Sequence, residues 1–456
     1  MNTLIAIIGL GILCLILEIF DARKAIIPLV VIGLLAVLGL DISEFNNPNT
    51  YYNNMIIVGK FSSGFSGLFI ILTIFLVSLG HKFYENHQTK ISDFIAIKIF
   101  LLAGAVAMVS FGNLAMFFLG IEVLSIALYV LASSNRLSIK SNEAGLKYFL
   151  MGSFASGIIL FGICLIYGAM GSFDVNEISE LSRSAELPIW FPIGIVLVFI
   201  GMLFKIAAVP FHFWAPDVYE GSPTLTTALM STLAKVVAIA TLYKLVKTMN
   251  ADISPAFQMI IVIVSIASMT VGNIMALRQV NVKRMLAFSG ISHAGFMLMT
   301  LLSTAKSSGT LLYYTSAYAL AGIAAFSVIL YVCKTRENED ITNFHGLGKN
   351  NPLMAAILTA SLLSMAGIPI FSGFFAKLFL FNQTIQAGFI ALVIIAVINS
   401  IISVGYYFKL ILAMYTKEPN EAKIATPKVI YAVAVISIVL NIALGLFPSF
   451  VLDLLG

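Results

Sequence analysis

A chain of 456 residues with 60% hydrophobic side chains, only 10% charged ones and a net charge of +5 cannot solvate the surface of a soluble fold. Apolar runs of eighteen or more residues recur from end to end, each long enough to cross a hydrocarbon core about 30 Å thick. The composition therefore describes an integral membrane protein, and no stretch has room for a soluble domain; the longest polar segment is about residues 334–351.

The first apolar segment, Asn2 to Phe20, lacks a basic leader and a small-residue cleavage site, so it is expected to be a retained helix. In chain order the predicted spans are 3–20, 25–41, 64–80, 93–111, 113–132, 144–170, 189–209, 223–246, 255–276, 285–303, 310–332, 352–385, 386–413 and 428–447. The expected fold is all-α and membrane-embedded, with about 14 transmembrane helices. Cys14, Cys164 and Cys333 stand alone inside apolar runs and read as small packing residues. The five histidines (His81, His87, His212, His293, His345) are scattered, so no haem, iron–sulfur or zinc site is expected and no cofactor is assigned to this chain.

Orientation follows from basic residues in alternate loops. With the N-terminus outside, the inside loops hold Arg23, Lys24, Lys82, Lys90, Arg136, Lys140, Arg278, Lys283, Arg284, Lys334, Arg336, Lys349, Lys417, Lys423 and Lys428. The outside loops hold Lys60, Arg183, Lys247 and Lys306, with Lys244 at a helix end. Fifteen against four or five places both termini on the periplasmic side of a cell inner membrane, and an even number of spans agrees.

Two spans are interrupted. FKIAAVPFHFWAPDVYEGSP carries Pro210, Pro216 and Pro223 around a polar stretch, and SMAGIPIFSGFFAKLFLF carries Gly367, Pro369 and Gly373 in mid-membrane. Proline removes a backbone donor and glycine loosens the turn, so the seventh and twelfth helices are predicted to be discontinuous. Broken helices at corresponding places in two halves point to a transport path. They lie five spans apart, and a five-helix repeat of odd parity must re-enter the membrane inverted. The predicted organisation is three N-terminal helices in 1–92, a five-helix repeat in 93–249, its inverted copy in 255–413, and a last helix in 414–456. Two unrelated proline kinks are the competing explanation.

A charge at the bilayer centre costs about 2.5–3.5 kcal/mol on the gentlest scale, yet several lie deep in these spans. Glu122 is about nine residues from each end of its helix, Lys147 about one turn into the sixth span, and Lys205 before the first break. Lys235 is at mid-span and Lys377 follows the second break. Lys98 and Lys409 are expected to snorkel to an interface, as is Glu18, three residues before Asp21. For Glu122, Lys205, Lys235 and Lys377 the reach is too long to snorkel, which leaves proton transfer or structural pairing. A buried lysine can shed and regain a proton as its surroundings change. His293 is either a hydrogen-bonded packing residue or a relay between Lys235 and Lys377, and His212 is either a gate at the first break or a cap for freed carbonyls.

Four segments carry a family likeness: FKIAAVPFHFWAPDVYEGSPTLTTALMSTLAK, GNIMALRQVNVKRMLAFSGISHAGFML, EAGLKYFLMGSFASGIILFGICLIYGAMGS and GIPIFSGFFAKLFLF. They resemble the antiporter-like subunits of respiratory complex I over roughly residues 90–415. The DVYEG after PFHFWAP, the lysine at 235 and the lysine at 377 resemble the N-type branch. So does the end of the chain soon after its last span, without the long lateral helix of L-type members.

The resemblance implies a proton path through Glu122, Lys205, Lys235 and Lys377, with Lys147 as partner on the sixth helix. It also implies membership of a proton-translocating NADH–quinone oxidoreductase, with FMN or an equivalent and iron–sulfur clusters in other subunits and quinone as acceptor. Implied partners are membrane subunits of the M, K, A, J, L and H types, lipid and protons, and no nucleic acid. Subunits of Mrp-type cation–proton antiporters share the fold and are the alternative. Sodium would want oxygen ligands near the breaks, and the sequence offers few buried carboxylates beyond Glu122.

Overall fold

The computed structural model describes every residue except 21, 81–89, 185–186, 250–253, 304–306, 335, 337, 420–426 and 456. Asp21, His81, Lys82, His87, Glu186, Lys306 and Lys423 lie outside the described residues.

Among the described residues, twelve helices are long and apolar enough to cross a membrane. Six precede the first break: Asn2–Ile19, Arg23–Phe45, Lys60–Leu79, Ile91–Ser110, Leu114–Ala132 and Ile139–Met170. The others are Thr224–Thr248, Pro255–Leu277, Val282–Ser303, Ser308–Val332, Ile390–Thr416 and Lys428–Leu446. The two spans expected to be interrupted are pairs of shorter helices. Trp190–Lys205 is followed by Trp214–Gly221, and Pro352–Ala366 by Ser372–Gln386.

Helix ends are marked by local chemistry. Asn113, Ser138, Ser254, Asn281 and Asn351 each accept a backbone N–H in the first turn of the helix they precede. Gly171 and Gly367 close helices in the left-handed conformation. Elements that the hydropathy pattern does not reveal are the hairpin Asn49–Tyr51/Ile56–Val58 and the short helix Val175–Ser184. Both are too short to stand out against the apolar background.

The Thr224–Thr248, Val282–Ser303 and Ser308–Val332 helices are buried along their whole apolar windows and form the centre; the two N-terminal helices are mostly at the periphery. Helices approach closely where side chains are small. A Cβ on Gly162 would stand 2.8 Å from the Gly194 carbonyl oxygen, and one on Gly194 equally close to that of Gly162. This packing brings the broken Trp190–Lys205 helix against Ile139–Met170 and so sets the position of Lys205.

Candidate functional site

Lys205 is the last residue of its half-helix, and the chain beyond it leaves helical geometry at Ala207, a non-glycine residue at φ +57°. Its ammonium donates to Ser125 Oγ at 2.8 Å, Ser156 Oγ at 3.2 Å and Tyr129 Oη at 3.5 Å. All three acceptors are neutral and come from the Leu114–Ala132 and Ile139–Met170 helices. Glu122 lies one turn before Ser125 on the same face. Its Oε1 is buried and has no hydrogen-bond partner. Carboxylate and ammonium thus flank Ser125 without forming an ion pair. His212, in the break, is 6% exposed, packs its ring 4.3 Å from that of Phe213 and leaves Nδ1 buried without a partner.

Lys147 is not brought to Glu122. It is 43% exposed and pairs with Glu143 at 2.6 Å and Asp217 at 3.4 Å. Asp217 also binds Arg284 at 2.6 Å, which reaches Glu220 at 3.1 Å. The physical reason is solvation: near the polar end the ammonium keeps water and two carboxylates, whereas pairing with Glu122 would strip both ions of solvent. Lys98 also departs from expectation, because it does not snorkel. It is 1% exposed and donates to the Leu76 carbonyl at 3.3 Å. Lys409 is exposed and caps the Gln279 carbonyl at 2.9 Å. Glu18 meets Arg23 at 2.9 Å and Lys90 at 3.3 Å.

Lys235 follows a π-helical turn, Met230–Ala234, inside its span. Its ammonium donates to the Gly290 carbonyl at 2.6 Å. A Cβ at 290 would come within 2.8 Å of that nitrogen, so the approach depends on glycine. One turn further along the same helix, His293 places Nδ1 2.9 Å from Tyr314 Oη and Nε2 3.4 Å from Tyr407 Oη. Tyr318 packs beside the imidazole at 4.7 Å between ring centroids and lies 3.4 Å from Ser231 Oγ. His293, Tyr314, Tyr318 and Ser364 line a small cavity with room for about one water.

Lys377 donates to the Ala366 carbonyl at 2.8 Å and Ser400 Oγ at 2.7 Å, with the Phe296 ring centroid 5.0 Å away. Ala366 ends the first half of the broken helix, where freed carbonyls and the negative end of the helix dipole favour a cation. Lys235 and Lys377 therefore contact one helix at Gly290 and Phe296, about 9 Å apart along its axis, with His293 between them.

Sequence reasoning missed the hydroxyls that receive these ammonium groups: Ser125, Tyr129, Ser156 and Ser400. The signal was weak because hydroxyls in apolar spans usually bond their own helix, as Thr73, Thr232, Thr241 and Ser327 do here.

Residues 112–403 match the family described as "NADH:quinone oxidoreductase/Mrp antiporter, TM". The chain is 78% identical to a NADH-quinone oxidoreductase subunit N of Flavobacterium johnsoniae, with all of both chains covered. Among solved structures it is similar to a chain of respiratory complex I from Thermus thermophilus with bound aureothin. The identity there is 28%, the TM-score 0.85, and 99% of this chain and 98% of that one are covered. It also shares its fold with a chain of the Mrp complex from Dietzia, at 21% identity and TM-score 0.86, over 99% and 95% of the two chains.

Proposed function

The chain belongs to the family of NADH–quinone oxidoreductase subunits N, and on that premise we propose that it moves protons through Glu122, Lys205, Lys235, His293 and Lys377. It is a multi-pass membrane subunit of that complex, translocating protons while quinone is reduced elsewhere in the assembly, and other membrane subunits are its neighbours. We further infer that FMN and iron–sulfur clusters reside in other subunits and that this chain holds no redox centre. Its neighbours are of the M, K, A, J, L and H types. It sits in the inner membrane with both termini periplasmic. Residues 93–249 and 255–413 act as two inverted half-channels.

The observation that carries the reading is the company these lysines keep. Lys205, Lys235 and Lys377 are hydrogen-bonded to hydroxyls and carbonyls, all neutral oxygens. A carboxylate partner would hold each lysine charged; neutral acceptors leave proton loss accessible when a nearby charge changes. Glu122 supplies a charge beside Lys205. His293 with Tyr314 and Tyr407 supplies exchangeable protons between Lys235 and Lys377. Lys147, in its exposed network, stands at the mouth rather than within the path.

Lys205→Ala is the direct test. In the intact complex reconstituted in vesicles, proton uptake and coupled quinone reduction fall at least about tenfold, the weight of one lost proton-transfer group, while subunit content stays normal. Native pumping in an assembled Lys205→Ala complex overturns the assignment.

A further inference from the structure

We propose that Asp41 and the serine hydroxyls around it bind one dehydrated monovalent cation where the N-terminal helices meet the first repeat. The inference stands apart from the proton path and does not depend on it.

The sequence pattern ends the second span at 41, but the helix continues to Phe45, which places Asp41 one turn inside it. Asp41 is 4% exposed and has no hydrogen bond or ion pair among the described residues. It borders a small cavity with Met1, Glu44, Ser62, Ser63, Ser66 and Ser110. Glu44 is already committed: it accepts from the Met1 amino group, the Asn2 N–H and the Thr3 hydroxyl, each at 2.8 Å. Ser62 is likewise bound to the Gly59 N–H at 2.9 Å. Ser63 is the independent sign of a ligand. It is 3% exposed, and its Oγ is buried without any partner on the rim of the same cavity.

The Met1 ammonium nearby is already held by Glu44, which leaves the buried Asp41 carboxyl to take up either a proton or a cation. The available ligands are all oxygens, the preference of hard cations. One uncommitted carboxylate calls for a single positive charge. The cavity has room for about one water, which fits a bare ion of sodium's size and not a magnesium ion, which keeps several of its waters. Asp41 comes from the second helix, Ser63 and Ser66 from the third and Ser110 from the fourth, so the ion would fasten three helices together.

The test uses the intact complex, purified with choline as the sole monovalent cation. Thermal unfolding is followed while sodium chloride or potassium chloride replaces choline chloride at constant ionic strength. Sodium raises the Tm saturably and potassium does so at higher concentration. Asp41→Asn loses this response, and Ser63→Ala raises the half-saturating sodium concentration about fivefold, the scale of one polar contact. Sodium also shifts a carboxylate band in the infrared difference spectrum of the native complex that is absent from Asp41→Asn. Identical sodium responses in native, Asp41→Asn and Ser63→Ala complexes overturn the proposal. So does a protonated Asp41 carboxyl band that persists with and without sodium.

Discussion

Lysines in this protein divide by the charge of what they touch. Lys147 holds two carboxylates at the polar end of its helix, whereas Lys205 is held by three hydroxyls. An exposed ion pair contributes about 0.2–1 kcal/mol and is replaced readily by water. Lys147→Ala is therefore expected to assemble normally and to retain most of its proton pumping, in contrast to Lys205→Ala; equal losses in vesicle assays would return Lys147 to the interior path. Glu122 differs again, because its Oε1 has no partner to lose. Glu122→Gln keeps the shape and removes the charge that faces Lys205 across Ser125. Normal subunit content with coupled quinone reduction reduced about tenfold is the outcome expected of a lost electrostatic partner. Unchanged coupling would show that the carboxylate is not part of the proton path.

The second break shows how an interruption becomes a binding feature. Gly367 at φ +88° and Ile370 at φ +89° turn the chain, and Gly373, in the first turn of the next half-helix, lies against the Ser364 carbonyl. A Cβ at 373 would collide with that oxygen, and backbone cannot yield as a flexible side chain can. Gly373→Ala should force the two half-helices apart and lower the amount of assembled subunit in the membrane, measured by quantitative immunoblot. Lys377→Ala, which leaves the backbone intact, should not. Normal assembly of Gly373→Ala would mean the break is slack.

The existence and place of both breaks were legible because Pro, Gly and a flanking lysine are rare together inside an apolar run. What holds the lysines was not. Ser125 and Ser400 look like the many serines that bond their own helix, and the Gly290 carbonyl carries no side-chain signal at all. The Glu122–Lys147 partnership that the family resemblance implies is not formed either, since Lys147 meets Glu143 and Asp217. Depth alone leaves Lys147 ambiguous, and the rotation that turns it toward Asp217 depends on packing. Asp41 was lost to a boundary placed four residues early.

At the scale of the whole molecule, the two halves repeat a backbone contact more faithfully than they repeat side chains. A Cβ on Gly104 would press on Gly120 O and Leu124 N; one on Gly272 would press on Phe288 O and Ser292 N, each position 168 residues further on. In that register Glu122 falls on Gly290 and Ser125 on His293. The first half thus holds a carboxylate and a hydroxyl where the second holds a bare carbonyl and an imidazole. Both halves use this place to meet a lysine, Lys205 at Ser125 and Lys235 at Gly290.

The proposed inverted pair has meaning only with a defined direction across the membrane, and direction rests on the loop charges. Fifteen basic residues on one set of loops against four or five on the other predict that the Lys334–Asn351 connection is cytoplasmic and the Asp174–Glu186 connection is not. Asn176 is exposed and Asn343 partly exposed in these two connections, and both suit single-cysteine placement once Cys14, Cys164 and Cys333 are changed to serine. In spheroplasts, an impermeant thiol reagent should label Asn176→Cys and spare Asn343→Cys until the membrane is opened. The reverse pattern would invert the protein. The network of Lys147, Asp217 and Arg284 would then become the exit of the path instead of its mouth, because it lies on the face that the basic loops share.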